Sequence, residues 1–171
     1  RLFMFVFAVN LGIGQGYMPV AGYNYGAGRL DRLKGAFFFT LKLTTITMLI
    51  SGVAFFWAAP FLIKLFIKTD LEVVRIGTTA LRAMSLAMPL VPLGVVCNMT
   101  FQSIGRAWAA TLLSTARQGI FFLPLILILP RFIGLSGVQI TQALSDLLTF
   151  LVSLPLVFFF FKGLDTEMHK R

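Results

Sequence analysis

Five runs of predominantly apolar residues, each near the length that crosses a hydrocarbon core and each closed off by charge, decide what this chain can fold into. They cover about 2–25, 35–63, 76–101, 111–130 and 137–161, and residues 162–171 form a polar tail. A chain living in lipid is counted in spans of about 20 residues rather than in soluble domains. The pattern therefore reads as all-α, a polytopic transmembrane helix bundle of five spans. Composition agrees: 58% of the residues are hydrophobic, 12% are charged and the mean hydropathy is +0.90. A soluble domain carries about 25% charged residues, so a soluble enzyme and a disordered tail are both excluded.

Fifteen Lys and Arg against six Asp and Glu give a net charge of +9. In a soluble protein that balance suggests nucleic acid. In a polytopic membrane protein basic residues instead gather in short cytoplasmic loops and set orientation, so no nucleic-acid partner is expected and the bilayer itself is. With five spans, one side collects Arg29, Arg32, Lys34, Lys42, Arg106, Arg117, Lys162, Lys170 and Arg171, and the other collects Arg1, Lys64, Lys68, Arg75 and Arg131. That imbalance places the tail in the cytoplasm of a cell (plasma or inner) membrane. It also places Arg1 outside, as expected of a piece of a longer chain with an odd number of spans upstream. No signal-peptide pattern opens the sequence. Cys97 is the one cysteine and His169 the one histidine, so no internal disulfide and no Cys/His metal cluster is expected.

Within the runs the informative residues are the ones lipid disfavours. Pro19, Pro89, Pro92, Pro124 and Pro155 fall inside four of the five runs, and an interior proline removes one backbone bond and crowds the carbonyl four residues back. Bent helices are expected there, with the freed groups met by neighbouring helices or a wet cavity. The fifth run carries Gln139, Gln142, Asp146, Thr149 and Ser153 at steps of three and four residues, hence on one helix face. Thr40, Thr44, Thr47 and Ser51 repeat the pattern in the second run, while Asn10 and Gln15 mark the first and Asn98 and Gln102 the end of the third. Interhelical hydrogen bonding is the ordinary use of such stripes. Gly12 with Gly16, and Gly22 with Gly26, have the spacing of close helix contacts. Met84 and Met88 read as core filler.

Asp146 asks for more than packing. It lies about ten residues into its run, where a charged carboxylate costs about 2.5–3.5 kcal/mol on insertion scales. It is expected to face a cavity, carry a proton or hold a partner. Arg82, the other charge well inside a run, is one candidate partner, though its place nearer the outer end also suits snorkelling; Arg117 lies early in the fourth run, where it can snorkel to the interface. Asp146, Gln142, Gln139, Arg82, Gln15, Asn10 and Asn98 are thus the candidate cavity residues.

One stretch is distinctive. Gly14-Gln15-Gly16-Tyr17-Met18-Pro19-Val20-Ala21-Gly22-Tyr23-Asn24-Tyr25-Gly26-Ala27-Gly28-Arg29 resembles the second helix of the C-terminal lobe of multidrug and toxic compound extrusion (MATE) transporters. Phe101 to Arg106, Arg117 to Pro124 and Gly137 to Asp146 are similar to further parts of that lobe. The resemblance implies a twelve-helix antiporter of two six-helix lobes, this chain supplying the last five helices of the C-terminal one. It implies export of organic cations or drugs in exchange for protons or sodium, with no other cofactor and with the N-terminal lobe as partner. A lipid-linked saccharide flippase of the same superfamily is the nearest alternative, but it calls for several cavity arginines or lysines where only Arg82 is a candidate. A non-catalytic membrane subunit is a second. A membrane-embedded enzyme is disfavoured, since no His cluster, paired carboxylates or serine-base set lies in the runs.

Overall fold

The computed structural model describes residues 2–66 and 71–168, with helix throughout apart from short turns and no strand among the described residues. Arg1, Lys68 and His169 to Arg171 lie outside the described residues, as does the side chain of Gln139. Helix α1 spans Leu2–Gly26, α2 Leu30–Phe66, α3 Leu71–Ala87, α4 Val91–Ser103, α5 Ala107–Thr115, α6 Phe122–Ile133 and α7 Leu135–Met168. Five segments are long and apolar enough to cross a membrane: Met4–Gly26, Leu30–Leu65, Val74–Ser103, Ala107–Ile133 and Ile140–Leu164. The connections between α1 and α2, α5 and its predecessor, and α6 and α7 turn on Gly28, Gly105 and Gly134, whose positive φ angles of 68°, 76° and 61° suit a residue without a side chain.

The prolines act unequally. Pro19 and Pro155 sit inside α1 and α7 without interrupting them. Pro89 belongs to a 3-10 turn, Met88–Leu90, that separates α3 from α4. Between α5 and α6 the chain widens into a π turn, Ala116–Ile120, in which the Phe121 amide reaches back five residues to the Ala116 carbonyl at 3.0 Å. Pro124 follows directly and has no amide to offer the Ile120 carbonyl, so the ordinary ladder lacks a rung at that point. Such single π turns are frequent at functional sites.

One packed core gathers at the end of the bundle where the 27–29 and 104–106 turns lie. Tyr17, Leu33, Phe37, Val96, Phe101 and Phe161 are all buried there. Phe37 meets Phe161 edge-on with centroids 4.9 Å apart, and Phe101 meets Phe160 at 5.3 Å, geometries that aromatic pairs favour. Close helix contacts use glycines other than most of those the spacing suggested. Gly12, Gly16 and Gly26 face open space, whereas a Cβ at Gly22 would lie 3.1 Å from the Ser103 carbonyl and one at Gly52 only 2.8 Å from the Ser85 carbonyl. Spacing along one helix marks a small face; it does not say whether a neighbour approaches it. Met88 is fully buried, as core filler should be.

Candidate functional site

The carboxylate of Asp146 is the organising group. It sits on α7 and is 3% exposed, yet it borders a half-open cavity of about 300 Å³ lined by α1, α4, α5, the π turn and α7. Asn98, Gln102, Ser114, Arg117 and Thr149 supply polar lining, and Phe7, Leu11, Met99 and Phe150 supply apolar lining. Its partner is Arg117, whose Nε donates to Oδ1 at 2.8 Å, with the arginine side chain 15% exposed. Gln142, one turn before Asp146, donates to the same Oδ1 at 3.3 Å.

Two expectations are corrected here. Arg82 does not meet Asp146: it is exposed on α3, its Nε donating to the Phe56 carbonyl at 3.4 Å and its guanidinium 5.3 Å from the Phe56 ring. Arg117 does not turn to the interface; the π turn and α7 hold it inward. Ser145 donates to the Arg117 carbonyl at 2.6 Å, which ties the backbone of the π turn to α7 one residue before Asp146. The guanidinium also lies 4.8 Å from the ring of Phe7 on α1, close enough for a cation–π attraction. Arg117 therefore joins three elements, and the spacing of polar residues within single helices gave no sign of it.

Along the cavity wall a short relay links α4 to α5. Gln102 donates to the Asn98 Oδ1 at 2.9 Å, Asn98 donates to Ser114 at 2.7 Å, and Ser114 donates to the Ala110 carbonyl at 3.0 Å. Below it, the Thr100 hydroxyl is spent on the Val96 carbonyl at 2.7 Å, so Tyr17 is the donor in its 2.9 Å bond to Thr100. The other expected stripes behave differently. Thr149 and Ser153 donate to carbonyls four residues back on α7, and Thr44 does the same on α2. They are buried without bridging helices, because a hydroxyl in a helix can reach its own i−4 carbonyl and needs no neighbour.

Of the candidate residues, Asp146, Gln142 and Asn98 thus come together around the Arg117 side. Asn10 is 2% exposed on α1 and neither side-chain atom finds a hydrogen-bond partner among the described residues. Gln15 points outward and is exposed. Among the described residues no group of three His, Cys, Asp or Glu could hold a metal ion.

A family model described as MatE matches residues 1–128 of the 171. The chain belongs to the MatE family. Among curated relatives of this MatE chain, the multidrug export protein MepA of Staphylococcus aureus is 23% identical over 158 residues, which are 92% of this chain and 34% of that protein. Among solved structures, the MATE multidrug transporter DinF-BH is 32% identical and superposes with a TM-score of 0.79, covering 92% of this chain and 35% of that one. An inward-facing multidrug resistance MATE family transporter of the MOP superfamily superposes with a TM-score of 0.87 at 21% identity, covering 97% of this chain and 39% of that one. The MatE chain thus spans about a third of the length of the curated relatives it matches, and its family is one of transporters rather than enzymes.

Proposed function

We propose that this MatE chain supplies part of the C-terminal lobe of a secondary active exporter that moves organic cations or drugs across a cell membrane in exchange for protons or sodium. The observation that carries the reading is the Asp146 carboxylate at the border of a cavity with both polar and apolar walls. Removing an ionised carboxylate from water is costly unless a cation accompanies it, so a buried one held at a cavity edge selects for positive charge. Apolar and aromatic walls such as Phe7, Met99 and Phe150 suit the greasy body of an organic cation, and methionine in particular adapts to varied shapes. The cavity of about 300 Å³ is at the small end for a drug-sized ligand, which fits a site completed by a second lobe. Alternating access by one lobe rocking against another around a midplane site is the general design of secondary transporters.

The flippase alternative is not favoured by the lining. One arginine borders the cavity, and it is already paired with Asp146; phosphates call for several unpaired cations.

The test is ethidium efflux from cells expressing the full-length protein that contains this chain. Export should stop when the proton gradient is collapsed, or when sodium is withdrawn, and whichever treatment acts names the coupling ion. Export that survives both treatments contradicts antiport. The cytoplasmic tail belongs to the same proposal: an epitope fused to the C-terminus should resist membrane-impermeant labelling in intact cells, and labelling there contradicts the orientation.

A further inference from the structure

The pairing of Asp146 raises a difficulty for cation binding that also suggests its solution, given the export reading above. A carboxylate already neutralised by Arg117 has no net attraction left for an incoming cation. Yet the pair is not closed in the manner of a structural ion pair, where an arginine commonly grips both carboxylate oxygens with two parallel bonds. Here both bonds to the carboxylate, from Arg117 Nε and from Gln142, fall on Oδ1. Among the described residues Oδ2 takes no hydrogen bond, and neither do the two terminal nitrogens of the guanidinium. None of these three atoms is among the sealed, unpartnered polar atoms, which are confined to Asn10. They are therefore not sealed, and the two residues that carry them, Asp146 and Arg117, both border the cavity.

The guanidinium also has a second resting contact. It lies 4.8 Å from the Phe7 ring, so it can leave the carboxylate and keep an attractive surface. Its backbone stays fixed meanwhile, because Ser145 holds the Arg117 carbonyl at 2.6 Å. The motion required is a side-chain swing on an anchored π turn.

We propose that Arg117 is a tethered counter-cation for Asp146: it occupies the carboxylate when the cavity is empty, and an incoming monovalent organic cation displaces it. Arg117 thereby sets both how tightly such a cation is held and how readily it is released, since the displaced guanidinium waits nearby to reclaim Oδ1. A site closed for about nine-tenths of the time binds with about one-tenth of its intrinsic affinity. Removing the tether removes that penalty and also removes the competitor that drives release.

The experiment uses tetraphenylphosphonium as the probe, with the full-length protein in detergent for binding and in proteoliposomes for export. In Arg117→Gln the dissociation constant should fall about tenfold, with KM and kcat for export falling together. Arg117→Lys keeps a tethered cation and should stay near the wild type in both. In an Asp146→Asn background, Arg117→Gln should change affinity little, because the carboxylate for which they compete is gone. Three results overturn the proposal: weaker binding in Arg117→Gln, unchanged affinity there, or an Arg117→Gln effect of equal size in the Asp146→Asn background, which would mark simple repulsion. A wild-type protein that does not bind the probe contradicts the export reading itself. Binding by the wild type together with any of the three results contradicts only the tether.

Discussion

Where α1, α2, α4, α5 and α7 converge beside the 27–29 and 104–106 turns, aromatic and aliphatic side chains fill the space between helices, with Phe37 and Leu33 almost wholly buried. Around Asp146 four of these helices, α1, α4, α5 and α7, part, and the gap of about 300 Å³ is edged by an ion pair and a relay of amides and hydroxyls. In lipid there is no hydrophobic driving force between helices, so association depends on close packing and on hydrogen bonds. The first region supplies the packing. The second gives some of it up, and what it keeps instead are groups that a cation can address.

That contrast predicts that the packed end governs stability and the cavity end governs binding. Phe37→Ala is the severest break. It deletes the edge-on contact with Phe161 at 4.9 Å and leaves a void, and should cost about 3 kcal/mol, read as a large drop in the thermal unfolding midpoint of the detergent-solubilised protein. A loss below about 0.5 kcal/mol would place the packing elsewhere.

Gly52→Val comes next. Its Cβ would meet the Ser85 carbonyl at 2.8 Å, and overpacking of that kind costs about 1–3 kcal/mol. Gly16→Val on α1, where a side chain would face open space, is the matched control and should change stability by a few tenths of a kcal/mol through propensity alone. Equal effects at the two glycines would contradict the helix contacts described.

Tyr17→Phe is milder. It removes one donor to Thr100, at 2.9 Å, while Thr100 remains bonded to Val96, so a loss of about 1 kcal/mol is expected. Asn10→Leu has the smallest effect and the opposite sign. Both polar atoms of Asn10 lack partners among the described residues, and replacing an unsatisfied buried amide with an apolar group of similar size is neutral or stabilising. A clear destabilisation would show that Asn10 has a partner after all.

The fold was legible because lipid leaves a chain few choices: five apolar runs closed by charge specify five helical crossings whatever their detailed packing. Asp146 was legible for the same reason, since a carboxylate in such a run is conspicuous. Its partner was not. Arg117 lies 29 residues away on another helix, and its early position in the fourth run pointed to the interface. The signal lay in register across the connection. Counted from the ends of the adjoining runs, Pro130 and Gly137, Arg117 is 13 residues up one helix and Asp146 nine up the next. That offset of four residues is about 6 Å along the axis, within reach of an arginine. The π turn was harder to see, because a proline announces a lost rung in the ladder without saying whether the helix bends, breaks or widens. Pro19 and Pro155 left their helices whole.

On the proposed reading, Asp146 is the group around which the cavity selects positive charge. Ethidium export by full-length Asp146→Asn, measured at expression matched to the wild type, tests it most directly. Most export should be lost, with a smaller drop in the thermal unfolding midpoint than in Phe37→Ala, because Arg117 loses its partner while the packed end is untouched; export at the wild-type rate would mean that the carboxylate is not the group that attracts the cation.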